Sequence, residues 1–237
     1  MQLFYQEEIK GTELVLDPDE SRHLTKVLRK PVGDIVLFTN GKGSLFSCRI
    51  EDNDPKKAKL VVVSQEFVPK PTHHIHLAIS PTKNADRMEW MMEKITEIGV
   101  DEVTFIQSEN SERTQINFER LQKKAINACK QSCQSWVPEI NEMRHFEEFL
   151  ADKTWSTYNR FICYVDETIP SHLIQMAKKD QSYLVLVGPE GDFSPNEIKE
   201  AVKNGFAPCS LGKNRLRTET AGLAVVHTLQ LLNISPD

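Results

Sequence analysis

The stretch Leu186-Val187-Gly188-Pro189-Glu190-Gly191-Asp192-Phe193-Ser194-Pro195 decides how this chain folds. An apolar run over residues 183–187 has the length and composition of a buried strand. It enters two glycines and gives way at once to a helix start, with Ser194 as N-cap, Pro195 at the first helical position and Glu197 at the third. Glycines let a ligand approach the backbone, and the first turn of a helix offers unpaired N–H groups. A strand that feeds a helix through such a loop is the joint of α/β proteins, whose ligands collect at the carboxyl ends of the strands. The loop is neither a Walker A sequence nor a G-x-G-x-x-G fingerprint, which excludes the standard nucleotide motifs. On this stretch alone, a plain strand–helix turn is the alternative.

A second joint follows in Ser210-Leu211-Gly212-Lys213-Asn214-Arg215-Leu216-Arg217-Thr218-Glu219-Thr220-Ala221-Gly222. A strand ends in Leu-Gly, the cations Lys213, Arg215 and Arg217 follow, and a helix rich in small residues begins. Exposed cations there would neutralise an anion, and the threonines would cap or hydrogen-bond locally. Two glycine-bearing strand ends in one domain predict one site. Upstream, strands are predicted at 75–79, 103–106, 160–165, 183–187 and 208–211. Helices are predicted at 86–98, 118–132, 145–150, 171–178, 195–203 and 218–232. The alternation implies a mostly parallel sheet covered by helices.

The chain divides at Phe67-Val68-Pro69-Lys70-Pro71-Thr72, where two prolines interrupt both helix and central strand. Up to Thr72 basic and acidic residues balance at 11 each, so the whole net charge of −5 falls on the remainder. The first part reads as a small β-barrel or meander. Residues 35–38 and 44–50 flank Thr39-Asn40-Gly41-Lys42-Gly43, and Asn-Gly between apolar runs predicts a hairpin with a type I′ turn. A further strand is predicted at 59–67. One helix, over 19–30, places Arg22, Lys26 and Arg29 on one face and Leu24, Val27 and Leu28 on the buried side. The cationic stripe suits a phosphate backbone, although the spacing also describes an ordinary solvated face.

Composition narrows the function. With 237 residues, 39% hydrophobic and 27% charged, the chain is neither disordered nor membrane-spanning in character. Its opening residues lack a basic stretch followed by an apolar one, so no secretory signal is expected. Five cysteines without such a signal read as reduced thiols of a cytoplasmic protein. His73, His74 and His76 lack a matching ligand cluster and read as a strand start, so no metal is expected. Cys129 and Cys133 share a predicted helix face without forming a zinc site. Glu139, Glu142, Glu147 and Glu148 read as a solvated acidic stretch.

At the two glycine loops the sequence resembles the RsmE family of 16S ribosomal RNA uridine-N3 methyltransferases, of the SPOUT superfamily. The likeness spans nearly the whole chain. His23-Leu24-Thr25-Lys26-Val27-Leu28-Arg29 with Gly33-Asp34 resembles the family's PUA-like domain. Asp86-Arg87-Met88-Glu89-Trp90, Glu93-Lys94, Thr96-Glu97-Ile98-Gly99-Val100, Ser111-Glu112-Arg113, Gln131-Ser132 and Val137-Pro138-Glu139-Ile140 resemble its catalytic domain. Three places depart from it. Asp192 replaces a second glycine, Cys133-Gln134-Ser135-Trp136 stands for Gly-Arg-Ser-Arg, and Asn214-Arg215 stands for an Arg-Ile pair.

The resemblance implies an α/β fold: a SPOUT-type trefoil-knotted parallel-sheet domain over 73–237, preceded over 1–70 by a small PUA-like β-barrel that binds RNA. It implies a homodimer and S-adenosyl-L-methionine as cofactor. Leu186, Val187, Gly188, Pro189, Glu190, Gly191, Leu211, Gly212, Leu216, Arg217, Thr218, Thr220 and Ala221 would line the cofactor. Arg22, Lys26, Arg29, Lys30, Arg87, Arg113, Lys213 and Arg215 would face the RNA of the 30S subunit. Deprotonating uridine N3 spreads charge onto O2 and O4, and a cation aimed at them would favour the anion. Arg217 is the candidate for that cation. Glu190 is a candidate proton acceptor or, alternatively, a loop anchor. Two rivals stay open: a non-catalytic RNA-binding module, and a SPOUT enzyme acting on a different RNA.

Overall fold

The computed structural model describes residues 2–166 and 171–234. The chain forms two compact units, one of residues 1–70 with 129–137 and one of 71–128 with 138–237.

The first unit is a five-stranded sheet of β1 (Leu3–Tyr5), β2 (Glu13–Val15), β3 (Ile35–Thr39), β4 (Ser44–Asp52) and β5 (Lys59–Phe67), in the order β1-β3-β4-β5-β2. β1 lies parallel to β3 and the other pairs are antiparallel. Alternate residues of β4 (Phe46, Cys48 and Ile50) point into a core with Phe4, Phe38 and Leu60, the period-2 signature of a half-buried strand.

The β3–β4 hairpin is present, but its turn is not the two-residue type I′ form. Asn40 Oδ1 accepts from Lys42 N (2.9 Å) and Ser44 N (3.1 Å), and positive φ falls on Gly41 (69°) and Gly43 (89°). A side chain on Gly43 would collide with Trp136. Trp136 donates from Nε1 to Val68 O (2.9 Å), and Ser135 O accepts from Thr39 Oγ1 and Gly43 N. Ser135 and Trp136 thus pack and bond within this unit. Cys133 is exposed at φ 56°, beyond the end of the helix, so it does not share a helix face with the buried Cys129.

The predicted helix over 19–30 is broken. α1 (Pro18–Arg22) is capped by Asp17, whose carboxylate accepts from Asp19 N and Glu20 N at 2.9 Å each. It widens into a π-helical turn over His23–Val27, closed by Leu28 N→His23 O (3.0 Å). The i→i+5 bond changes the side-chain spacing, and Arg29 leaves the helix at φ 53°. Arg22, Lys26 and Arg29 are exposed but do not share one α-helical face, and Val27 is 65% exposed rather than buried.

The second unit is a six-stranded parallel sheet of β6 (His74–Ile79), β7 (Glu102–Gln107), β8 (Glu139–His145), β9 (Asn159–Cys163), β10 (Ser182–Val187) and β11 (Ala207–Cys209), in the order β11-β9-β10-β6-β7-β8. The helices are α2 (Ala85–Ile98), α3 (Phe118–Gln131), α4 (Phe146–Ala151), α5 (Leu173–Met176), α6 (Pro195–Lys203) and α7 (Thr218–Asn233). α3 begins in this unit and ends in the other. Glu139, Glu142, Glu147 and Glu148 are all exposed, as the acidic-stretch reading expects, but the stretch is not irregular: Glu139 and Glu142 lie in an edge strand beside β7, and Glu147 and Glu148 open α4. α5 is shorter than the predicted 171–178 because Ala177 is already extended.

α7 sets the position of the second glycine joint. Val225, Val226 and Leu229 are fully buried, each worth about 1.5–3 kcal/mol. Gly222 lets the helix approach β6 and α2, since a Cβ there would lie 2.9 Å from Met91 Sδ and 3.0 Å from Ile79 Cδ1.

Candidate functional site

A cleft of about 820 Å³ opens at the carboxyl ends of β9, β10 and β11 and the start of α7. From the first loop it takes Val187, Gly188, Pro189, Glu190 and Asp192. From the second it takes Ser210 through Thr218, and Ala221 from α7. The two glycine joints therefore share one cleft, and Arg215 ties them by donating to Glu190 O (3.3 Å). Gly212 sits at φ 124°, a conformation open to glycine, and a Cβ on Gly188 would press on Phe193 at 3.2 Å.

Three expected lining residues lie elsewhere. Leu186 points into the core with Ala78, Ile106 and Leu184. Gly191 faces Asn110, whose side chain donates to Gly191 O (3.3 Å) and Asp192 O (3.0 Å). Thr220 lies on a second, adjoining cleft with Asp86, Arg87, Trp90 and Glu219. Arg217 lines both clefts.

Asp192 occupies the left-handed region at φ 62°, a conformation that favours glycine. Its carboxylate accepts from Val165 N (3.0 Å) and Phe193 N (2.8 Å). Aspartate is among the few residues that tolerate this conformation, and the two bonds offset its cost while lashing the loop to the end of β9. Glu190 Oε1 accepts from Lys83 N (3.3 Å). Glu197 accepts from Ser194 N and Glu109 N at 2.8 Å each, which completes the predicted capping box and anchors a neighbouring loop.

Sequence reasoning missed a third wall: Cys163 at the end of β9, Tyr164, Val165 and Asp166 beyond it, and His172 and Gln175 at the N-cap and in the body of α5. The available signal was that β9 ends level with β10, but no glycine marks its exit. Cys163 and Cys209 are register partners with Sγ atoms 3.3 Å apart, and the contact with Cys209 and burial both push the Cys163 thiol well up from its ordinary pKa.

The expected RNA-facing cations divide in two. Lys213 and Arg215 are exposed at the cleft rim, as Arg22, Lys26 and Arg29 are exposed on the first unit. Others are engaged within the protein: Lys30 pairs with Asp34 (3.2 Å), and Arg87 Nε lies 3.7 Å from Glu219. Arg113 donates to Thr82 O (3.1 Å) and Lys83 O (2.7 Å), bracketing the loop before α2.

The RNA methyltransferase domain family matches residues 68–230, more than half of the chain. The chain belongs to the RNA methyltransferase family. The RNA methyltransferase PUA domain matches residues 16–63 within the first unit. A probable rRNA-methyltransferase from Porphyromonas gingivalis is 44% identical in its crystal structure, with a TM-score of 0.92 over 98% of each chain. A ribosomal RNA small subunit methyltransferase E from Neisseria gonorrhoeae, bound to S-adenosyl methionine, is 28% identical, with a TM-score of 0.85 over 98% of each chain. The protein of the same name from Buchnera aphidicola subsp. Acyrthosiphon pisum is 28% identical, covering 97% of this chain and 92% of the relative. The fold class of this RNA methyltransferase is the one its motifs imply, a SPOUT-type α/β domain preceded by a PUA-like one.

Proposed function

We propose that this RNA methyltransferase uses S-adenosylmethionine to methylate N3 of one uridine in the 16S ribosomal RNA of the 30S subunit, near the decoding region. The observation that carries the reading is the convergence of both glycine joints on one cleft, with Arg217 on its wall. The cleft suits the cofactor: its volume lies in the range of small-molecule sites, Val187, Leu216 and Ala221 give apolar surface, and the glycine loops bring main-chain groups close. Gly188, Glu190, Leu211, Gly212 and Thr218 would hold it, largely by backbone. When bound, S-adenosylmethionine supplies an electrophilic methyl group.

This chain's own residues supply placement and charge. The loops orient the cofactor toward a base held alongside, so positioning lowers much of the barrier. Arg217 stabilises negative charge on the uracil oxygens. Residues 1–70 serve as the RNA-binding domain and 73–237 as the methyltransferase domain, acting as a homodimer in the cytoplasm where 30S subunits reside. Lys213, Arg215, Arg22, Lys26 and Arg29 contact phosphates.

The test is transfer of labelled methyl to unmodified 30S subunits by wild type and Arg217→Ala. The reading expects transfer by wild type, with at least a tenfold loss in the variant at saturating cofactor. Cofactor binding without transfer by wild type, to 30S or to naked 16S RNA, would contradict it and favour a non-catalytic RNA-binding module or a different RNA.

A further inference from the structure

We propose that the second cleft, beside Arg217, receives the target base, and that Glu219, not Glu190, takes its N3 proton. The inference rests on the methylation reading above and deepens it. Arg217 lines both clefts, so the two adjoin at this residue and a base seated in the second lies beside the contents of the first. The second cleft, about 540 Å³, has room for a pyrimidine ring.

Its lining matches a uracil group by group. Trp90 is a large aromatic left 43% exposed on this wall, the platform on which an unstacked base is held. Glu219 is only 6% exposed, and its Oε2 has no hydrogen-bond partner among the described residues. Its Oε1 lies 3.7 Å from Arg87 Nε, beyond hydrogen-bond length. A buried carboxylate oxygen without a partner is costly and calls for a donor, and Glu219 belongs to the wall of this cleft. Uracil offers that donor, an imide N3–H flanked by two carbonyl oxygens. An acceptor with the guanidinium groups of Arg87 and Arg217 in the same cleft complements this donor-between-acceptors edge. Cytosine would set an N3 lone pair against the carboxylate, so the same residue selects uridine. The Glu190 carboxylate already accepts from Lys83 N and lines the first cleft instead.

The step balances simply. The N3 proton passes to Glu219, the freed N3 electron pair forms the bond to the methyl carbon, and the carbon–sulfur bond breaks with its pair kept by sulfur. Arg217 holds the charge on the ring oxygens meanwhile.

The test uses 30S subunits reconstituted with 16S RNA containing either uridine or 5-fluorouridine, whose N3–H is more acidic. Glu219→Gln keeps shape and removes the base. It is expected to lose at least about 100-fold in transfer to uridine RNA, the ordinary scale of general-base loss. At least tenfold of that should return on 5-fluorouridine RNA, with cofactor affinity by calorimetry and 30S affinity by filter binding unchanged. Trp90→Ala is expected to weaken 30S binding about 5- to 100-fold, and Trp90→Phe to restore it. A Glu219→Gln rate within threefold of wild type, or an equal loss on both RNAs, would overturn the proton role. A Trp90→Ala variant that keeps 30S affinity but changes self-association would overturn the base site and assign this wall to a second copy of the chain. No transfer by wild type to either RNA would instead overturn the reaction itself, and this inference with it.

Discussion

Asp192 makes a conformation that favours glycine serve as a fastener. It stands at φ 62° and accepts from both Val165 N and Phe193 N. Asp192→Ala keeps the unfavourable φ and removes both bonds, so it should cost about 1–3 kcal/mol and weaken cofactor binding. Asp192→Gly relieves the φ and should recover part of the stability, as two melting curves would establish. His76 is the other informative residue. It is fully buried beside Thr104 (2.8 Å), Glu102, His74 and Trp155. Burial lowers its pKa from 6.5 to about 4, with Glu102 opposing and His74 and Arg144 assisting. The unfolded chain therefore takes up this proton first. The stability His76 contributes is whole above about pH 6.5, falls as pH drops toward about 4, and amounts to at most about 3 kcal/mol. His76→Gln should flatten the wild-type loss of melting temperature over that window; an unchanged slope would assign the acid sensitivity to other groups.

At the scale of elements, what was legible followed hydrophobic pattern and capping chemistry. β10 and α6 are where residues 183–203 predict them, because an apolar run, two glycines and a Ser-Pro-x-Glu start all favour one local structure. β8 was hidden because an edge strand needs little apolar surface, and its glutamates read as solvent. The π-turn was hidden because its side chains fit an α-helical pattern, and the Leu28 N→His23 O bond is what distinguishes it. Half of the cleft could be read from glycine and cation spacing. The wall after β9 could not, since its residues are ordinary until the sheet places them. Gly222 tests the element that aims Arg217. Gly222→Val should destabilise by about 1–3 kcal/mol through overpacking on Met91 and Ile79. It should also lower cofactor affinity by shifting the start of α7. Stability loss with intact affinity would separate the helix from the cleft.

For the whole molecule, a net charge of −5 coexists with an RNA substrate because the exposed cations are local. Affinity carried by a few phosphate contacts falls with salt in proportion to their number. Arg22→Ala combined with Arg29→Ala should weaken RNA binding and reduce the slope of log affinity against log salt by roughly one unit per lost contact. An unchanged slope would remove the first unit's cations from the interface. The central claim concerns which atom receives the methyl group. The most direct measurement is incubation with isotopically labelled S-adenosylmethionine and 30S subunits from a strain lacking the modification, followed by mass mapping of the 16S RNA. The account predicts label on N3 of a single uridine near the decoding region. Label on another atom, on another RNA, or on none while the cofactor still binds would contradict it.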